Sequence, residues 1–539
     1  MAALVKAANA LLGLATSARN VSATNRTLDA RELEARQFQF ERYNETHVSL
    51  INATPYRWHK TYNHSYQLME WEKGWPEYIE PGKATTVSVK TTKHLVSDTA
   101  GEATYRIEGT SKPMSLQVQY LSGRQHTVAV QFLEDLETIY SKKNATYNLG
   151  FLPRAGGSGF ILAGNEGEFI SNDGPPTWMQ AQLSEIGHLP LREIVMPRSH
   201  HAGQWKSQEY FGWGSASNTQ TQTLTLYEQL GRGGVRVLDV RPGLKRGRFY
   251  EHHGSMVGNA FHGMLGATLK EMVDMQNKFM ADHPGEMYIW DIHETDTRDG
   301  DRKFKPLDDK GRHKLYDELR RLNHRANLPN VTDISRRPLN RFISGAGGEQ
   351  GKSCVLVRVP TSWATMKHFP GSKEGFLTGA NLPLNSRWSD TNAFQKLVKD
   401  QVSGLLRARP SRSSELYNMD WVITQQGLGA AIPHISIIGL AGVAWRTLYQ
   451  QFWDALSDQS YPNWITMDAI HDNSLKAMAM AMNKCLGARK CGALGGKIVG
   501  MRKTTLESTP EGTYNNTETE AQSRWVGKGK TPNRNGFQV

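Results

Sequence analysis

Between residues 52 and 162 the chain alternates apolar and polar positions with period two. Met114, Leu116, Val118 and Tyr120 interleave with Ser115, Gln117 and Gln119, and beyond Ser122-Gly123 the pattern resumes at Val128, Val130 and Phe132. Side chains two positions apart share one face of a strand, so this spacing predicts a hairpin with one buried face. Shorter alternations at 87–89 and 105–107, set between turn-rich segments, extend it into an all-β sandwich over residues 45–170. Residues 171–177 contain Asn172-Asp173-Gly174-Pro175-Pro176 and predict a linker, because adjacent prolines block helix and ladder alike.

Beyond the linker the period changes. Apolar runs at 193–197, 235–240, 287–292, 354–359, 419–424 and 464–467 alternate with helical patterns. The clearest helix carries Leu265, Leu269, Met272, Val273, Gln276 and Met280 on one face and stops at His283-Pro284-Gly285. Strands separated by helices predict a parallel sheet with crossover helices. No glycine-rich phosphate fingerprint follows the first strand, so the expected α/β fold over residues 178–503 is a distorted or incomplete (β/α)8 TIM-type barrel. Residues 1–44 read as an N-terminal targeting or flexible segment and residues 504–539 as a disordered tail.

Composition narrows the class of molecule. With 38% hydrophobic and 22% charged residues in 539, the chain has the make-up of a folded protein, neither disordered nor collagen-like. A net charge of +12 favours anionic partners. No long Lys/Arg run, zinc-finger spacing or RNP-like stretch is present, so nucleic acid is not an expected partner. The uncharged stretch 421–445 carries Pro433, His434 and four glycines, which suits a buried strand and core segment better than a membrane-spanning helix. Acceptor sequons concentrated in the first third, Asn52 among them, predict a secreted glycoprotein. Of the three cysteines, Cys354 reads as a buried strand thiol, while Cys485 and Cys491 are close enough to bridge a small loop.

Barrel enzymes present reactive side chains where strands end, and the residues there are consistent in kind. The first strand runs into PRSHHAG (His200, His201), the second ends LDVRP (Asp239, Arg241), an excursion reads FYEHHG (His252, His253), the third ends WDIHE (Asp291, His293, Glu294), and a late strand ends at Asp468. Two imidazoles and a guanidinium suit phosphoryl chemistry: one imidazole takes a proton from the nucleophile, the other protonates the departing oxygen, and the guanidinium holds the nonbridging oxygens. Any one of these residues alone is more often structural; the joint placement is what points to catalysis.

The order W-M, P-x-S-H-x-A-G, Q-x-x-x-x-G-x-R-x-L-D-x-R and H-H-G, followed by a helix and an apolar strand, resembles the X-domain phosphatidylinositol phospholipase C family, most closely its bacterial and fungal members. The resemblance spans residues 178–501 and is dense only between Arg192 and Glu294. It implies a general base at His200, a general acid at His253 and phosphate binding by Arg241, which stands where calcium-dependent relatives carry an acidic metal ligand. No metal or other cofactor is therefore expected. It further implies site carboxylates at Asp239 and Asp468, the latter orienting His200, and a head-group aspartate at Asp390, with His201, Asp291 and His293 as further candidates for substrate binding. The implied partner is a phosphoinositide or related phospholipid met at a membrane surface, and the implied reaction is attack by the inositol 2-hydroxyl to give diacylglycerol and a cyclic phosphate.

Two positions depart from the family. His201 stands where bacterial members usually carry an aspartate beside the arginine, and His293 stands where relatives carry a lysine or an acid. The first puts head group and rate in question. Two other readings remain open: a metal-dependent barrel of the glycerophosphodiesterase or sphingomyelinase D type, and a catalytically degenerate binding protein.

Overall fold

The computed structural model describes residues 45–488, except 70, 92–98, 122–126, 151–156, 258–259, 294–295, 298–304, 344–350, 427–432 and 434. The N-terminal segment, the tail and Cys491 lie outside the described residues.

The expected period-two hairpin is Met114–Leu121 paired antiparallel with Thr127–Glu134, with Leu116 opposite Phe132 and Val118 opposite Val130. It belongs to a six-stranded sheet that faces a four-stranded one. Trp58, Trp71, Tyr105, Leu116, Val118 and Phe160 fill the space between them with no exposed surface. Asn52 is sealed in this domain: its Nδ2 donates to the carbonyls of Tyr56 and Ile79 at 2.7 and 2.9 Å. A fully buried amide cannot accept a glycan, so that sequon is silent in the folded protein.

The second half is an eight-stranded, all-parallel sheet. Its strands in chain order are β1 (Met196–Ser199), β2 (Val237–Val240), β3 (Met287–Ile292), β4 (Cys354–Arg358), β5 (Phe376–Leu377), β6 (Leu384–Ser386), β7 (Leu416–Asp420) and β8 (Trp464–Met467). The spatial order is β5-β4-β3-β2-β1-β8-β7-β6. Among the described residues β5 and β6 do not pair, so the barrel is incomplete along one seam. Every residue of β3 is buried, as expected of a parallel sheet covered on both faces, and this is why Met287 to Trp290 run apolar without alternating ahead of the buried Asp291.

The predicted helix is α1 (Leu269–Asp282), and its N-cap Thr268 accepts a hydrogen bond from the Glu271 amide. Leu265, expected on that helix, instead lies in the strand Ala260–Thr268, which pairs with Arg248–Val257 to form a long hairpin. The stretch 421–445 begins just after β7 and holds no strand among its described residues, only most of an 11-residue helix, α2 (Ile437–Thr447), and no helix among the described residues is long and apolar enough to cross a membrane.

Sandwich and barrel pack together, since the residues from Glu45 onward form one compact unit. The join runs through α3 (Ser474–Ala488) and the stretch 171–177. Asn172 accepts from the Ile161 amide and donates to the Gly159 carbonyl, and Ser474 Oγ donates to the same carbonyl at 3.1 Å. A Cβ on Gly159 would meet the Tyr449 ring at 2.8 Å, so glycine is what permits this approach.

Candidate active site

The carboxyl ends of the barrel strands converge on a cleft of about 440 Å³ lined by Arg198, His200, His201, Arg241, His253, His293, Ser386, Trp388, Asn418 and Asp420. His200 and His201 follow β1 directly. The turn there is tight: His201 has φ +43°, an uncommon conformation for a side chain of its size, and a Cβ on Gly203 would lie 2.5 Å from the Glu251 Cβ. The final glycine of PRSHHAG is thus required by close approach.

Each imidazole is fixed from behind. His200 Nδ1 lies 2.7 Å from Asp468 Oδ1, at the end of β8. His253 Nδ1 lies 2.8 Å from the Thr219 carbonyl, which can only accept, so Nδ1 carries the proton and Nε2 the lone pair. His201 Nδ1 faces Glu251 Oε1 at 3.2 Å. The rings of His200 and His253 have centroids 6.3 Å apart, and His201 sits beside both, at 4.6 and 4.1 Å. His253 comes from the hairpin rather than from a barrel strand. A register shift between Tyr250 and His252 breaks the ladder just ahead of it, a feature that re-aims the following side chains.

Arg241, just beyond β2, is a quarter exposed and forks onto Asp239 through Nε at 3.2 Å and Nη2 at 3.1 Å. Asp239 also accepts from the His201 amide. Burial alone would raise the Asp239 carboxyl, but the Arg241 and Arg198 guanidiniums outweigh it and hold the group well below the usual carboxylate range. Beneath it Arg198 donates to Asp291 at 3.0 Å, and Asp291 receives Arg358 and His293, each at 2.8 Å. Burial and Arg241 push His201 far down, so it is neutral. Burial, with His200 and Arg241 adding to it, lowers His253 to about 3. Burial and the Asp239 charge drive Glu251 the other way, well above an ordinary glutamate.

Of the residues singled out in the sequence, His200, His201, Asp239, Arg241, His253, Asp291, His293 and Asp468 come together in or directly behind the cleft. Asp390 does not line it; its Oδ1 accepts from Gln426 Nε2 on the exposed surface. The sequence reading passed over Arg198, Ser386, Trp388, Asn418 and Asp420. Asp420 ends β7, which the sequence predicted at 419–424 rather than 416–420, so the strand-end rule pointed past it. Ser386 and Trp388 belong to or follow β6, a three-residue strand too short for periodicity to reveal. Trp388 stands with its ring 5.1 Å from that of His200. One donor atom each from His200, His201 and Asp239 lie within 4.8 Å of one another, close enough to hold a metal ion. Phe211 and Trp213 do not line the cleft; their rings pack against Phe261 and His262.

No protein-family model matches the chain, and no curated protein is similar to it. Among solved structures it is similar to a variant of the phosphatidylinositol-specific phospholipase C from Staphylococcus aureus, with 16% identity, a TM-score of 0.42, and coverage of 58% of this chain and 97% of that one.

Proposed function

We propose that the protein is a phospholipase C-type phosphodiesterase that cleaves phosphatidylinositol or a glycosylated relative. The observation that carries this reading is the pair His200 and His253, both lining one cleft with Arg241. In this reaction His200 Nε2 takes the proton of the inositol 2-hydroxyl, and Asp468 behind it steadies the imidazolium that forms. The hydroxyl oxygen bonds to phosphorus, the bond from phosphorus to the glycerol oxygen breaks, and His253 gives that oxygen its proton. The products are diacylglycerol and a cyclic inositol phosphate.

His253 is neutral in the free protein; the bound anionic phosphodiester supplies the counter-charge under which its Nε2 takes a proton from solvent before the chemical step, and that proton passes to the glycerol oxygen. Arg241, pre-oriented by Asp239, offers permanent positive charge to the nonbridging oxygens. The polar far wall, formed by Ser386, Asn418 and Asp420, suits a polyhydroxylated head group. The lipid implies contact with a membrane surface from one side.

The experiment is incubation of the purified protein with phosphatidylinositol micelles in excess chelator, followed by phosphorus NMR. A cyclic phosphodiester resonance is expected. An acyclic product that forms only when magnesium is restored would replace this reading with a metal-dependent phosphodiesterase.

A further inference from the structure

Two imidazole nitrogens in the cleft have no partner. His200 and His201 are 4% and 2% exposed, their Nδ1 atoms are committed to Asp468 and Glu251, and among the described residues neither Nε2 has a hydrogen-bond partner. Buried ring nitrogens left this way are rare, and each asks for a hydrogen-bond partner or a metal. A carboxylate lies within reach: Asp239 Oδ2 is 3.9 Å from His200 Nε2.

We propose that His200, His201 and Asp239 form a site for a transition-metal dication of the zinc type, and that its occupancy shuts the cleft down. Ligand atoms about 2.0–2.1 Å from zinc at tetrahedral angles lie roughly 3.4 Å apart, so a contraction of about half an ångström brings the His200–Asp239 pair to coordination distance. Two nitrogens and one oxygen suit zinc or cobalt, whereas magnesium and calcium take oxygen ligands. The outer shell is already in place, since the carboxyl groups of Asp468 and Glu251 meet the ring nitrogens remote from the site and fix both rings. His201 reaches its place only through a left-handed backbone conformation, a cost that persists where surrounding structure enforces it.

Arg241 sets the strength of this site. Its guanidinium occupies two positions on Asp239 and repels a dication, so metal and arginine compete for one carboxylate. A metal on His200 Nε2 also removes the lone pair that the proposed reaction needs. The inhibitory consequence rests on that proposed role of His200; the binding does not.

The test is titration of the chelator-stripped full chain with Zn2+, monitored by calorimetry, with Mg2+ as control. One equivalent of Zn2+ is expected to bind and Mg2+ not to bind. Affinity should fall at least tenfold in His201→Ala and in His201→Asn, and rise about tenfold in Arg241→Gln. Unchanged zinc affinity in folded His201 variants would overturn the site. Co2+ provides a check on the unmutated protein: intense visible bands of a four-coordinate ion are expected, and the weak bands of an octahedral ion would overturn the assignment. Cleavage of phosphatidylinositol should be inhibited with the midpoint of zinc binding and restored by chelator, while zinc activation would overturn the inhibitory role. If no cleavage occurs under any condition the functional reading fails, and the binding arms still decide the site.

Discussion

At the scale of single residues, the cleft is a set of closely spaced imidazoles over a layer of paired buried charges. His200→Ala should lower turnover by at least about two orders of magnitude, the share that general acid-base catalysis supplies, with far less change in KM. Steady-state kinetics on phosphatidylinositol checks this, and near-normal turnover would remove His200 from the mechanism. Arg241→Lys should lower kcat/KM by a comparable amount, because an ammonium cannot reproduce the two parallel contacts of the guanidinium. Equal activity in the lysine variant would mean that Arg241 does not touch the phosphate. The layer below is a matter of stability. Arg198 is 3% exposed and shared by Asp239, Asp291 and Asp420, so Arg198→Leu leaves buried carboxylates short of a counter-charge. A loss of about 3 kcal/mol in denaturant unfolding is expected.

At the scale of elements, the barrel delivers strand ends and the hairpin delivers the missing histidine. The short strands β5 and β6 leave one seam open, and the far wall of the cleft is built beside it from β6 and β7. Where the sandwich strand Glu45–Ala53 meets α2, His47 Nε2 lies 3.2 Å from Arg446 Nη1. Burial, with Arg446 adding to it, lowers His47 to about 4. The unfolded chain therefore binds this proton below about pH 6.5 while the folded one does not until about pH 4, so the contribution is intact above 6.5 and stability is lost as pH falls from 6.5 to 4. Melting curves of the wild type and of His47→Gln at pH 7.5 and 5 check this, and the variant should show the smaller fall. Identical falls would mean that His47 titrates normally.

At the scale of the molecule, the sandwich is fastened to the barrel by shared apolar core, with Ile51, Ile161 and Ile170 in it, and by a few buried polar groups rather than tethered by a string. Asn172→Ala would strip partners from the Ile161 amide and leave the Gly159 carbonyl to Ser474 alone. Buried groups left unpaired cost about 1–3 kcal/mol each, so a loss of about 2–4 kcal/mol is expected. The unfolding transition should remain single, because the two parts share their interface; two resolved transitions in calorimetry would show that they unfold independently.

The sequence by itself determined the two kinds of secondary structure and where one gives way to the other. Period two and continuous apolar runs record whether a strand is covered on one face or both, and that is local information. It also placed His200, Asp239, Arg241 and Asp468 as candidates, since residues at strand ends share one end of a barrel whichever strands are neighbours, while His253, on the hairpin, was marked by the H-H-G of the resemblance. Only the tertiary structure decided that His201 stands between the two other imidazoles, that Asp420 rather than Asp390 lines the cleft, and that β5 and β6 do not pair among the described residues. These depend on backbone turns of one or two residues and on contacts between segments distant in the chain. Neither leaves a periodic trace in the sequence.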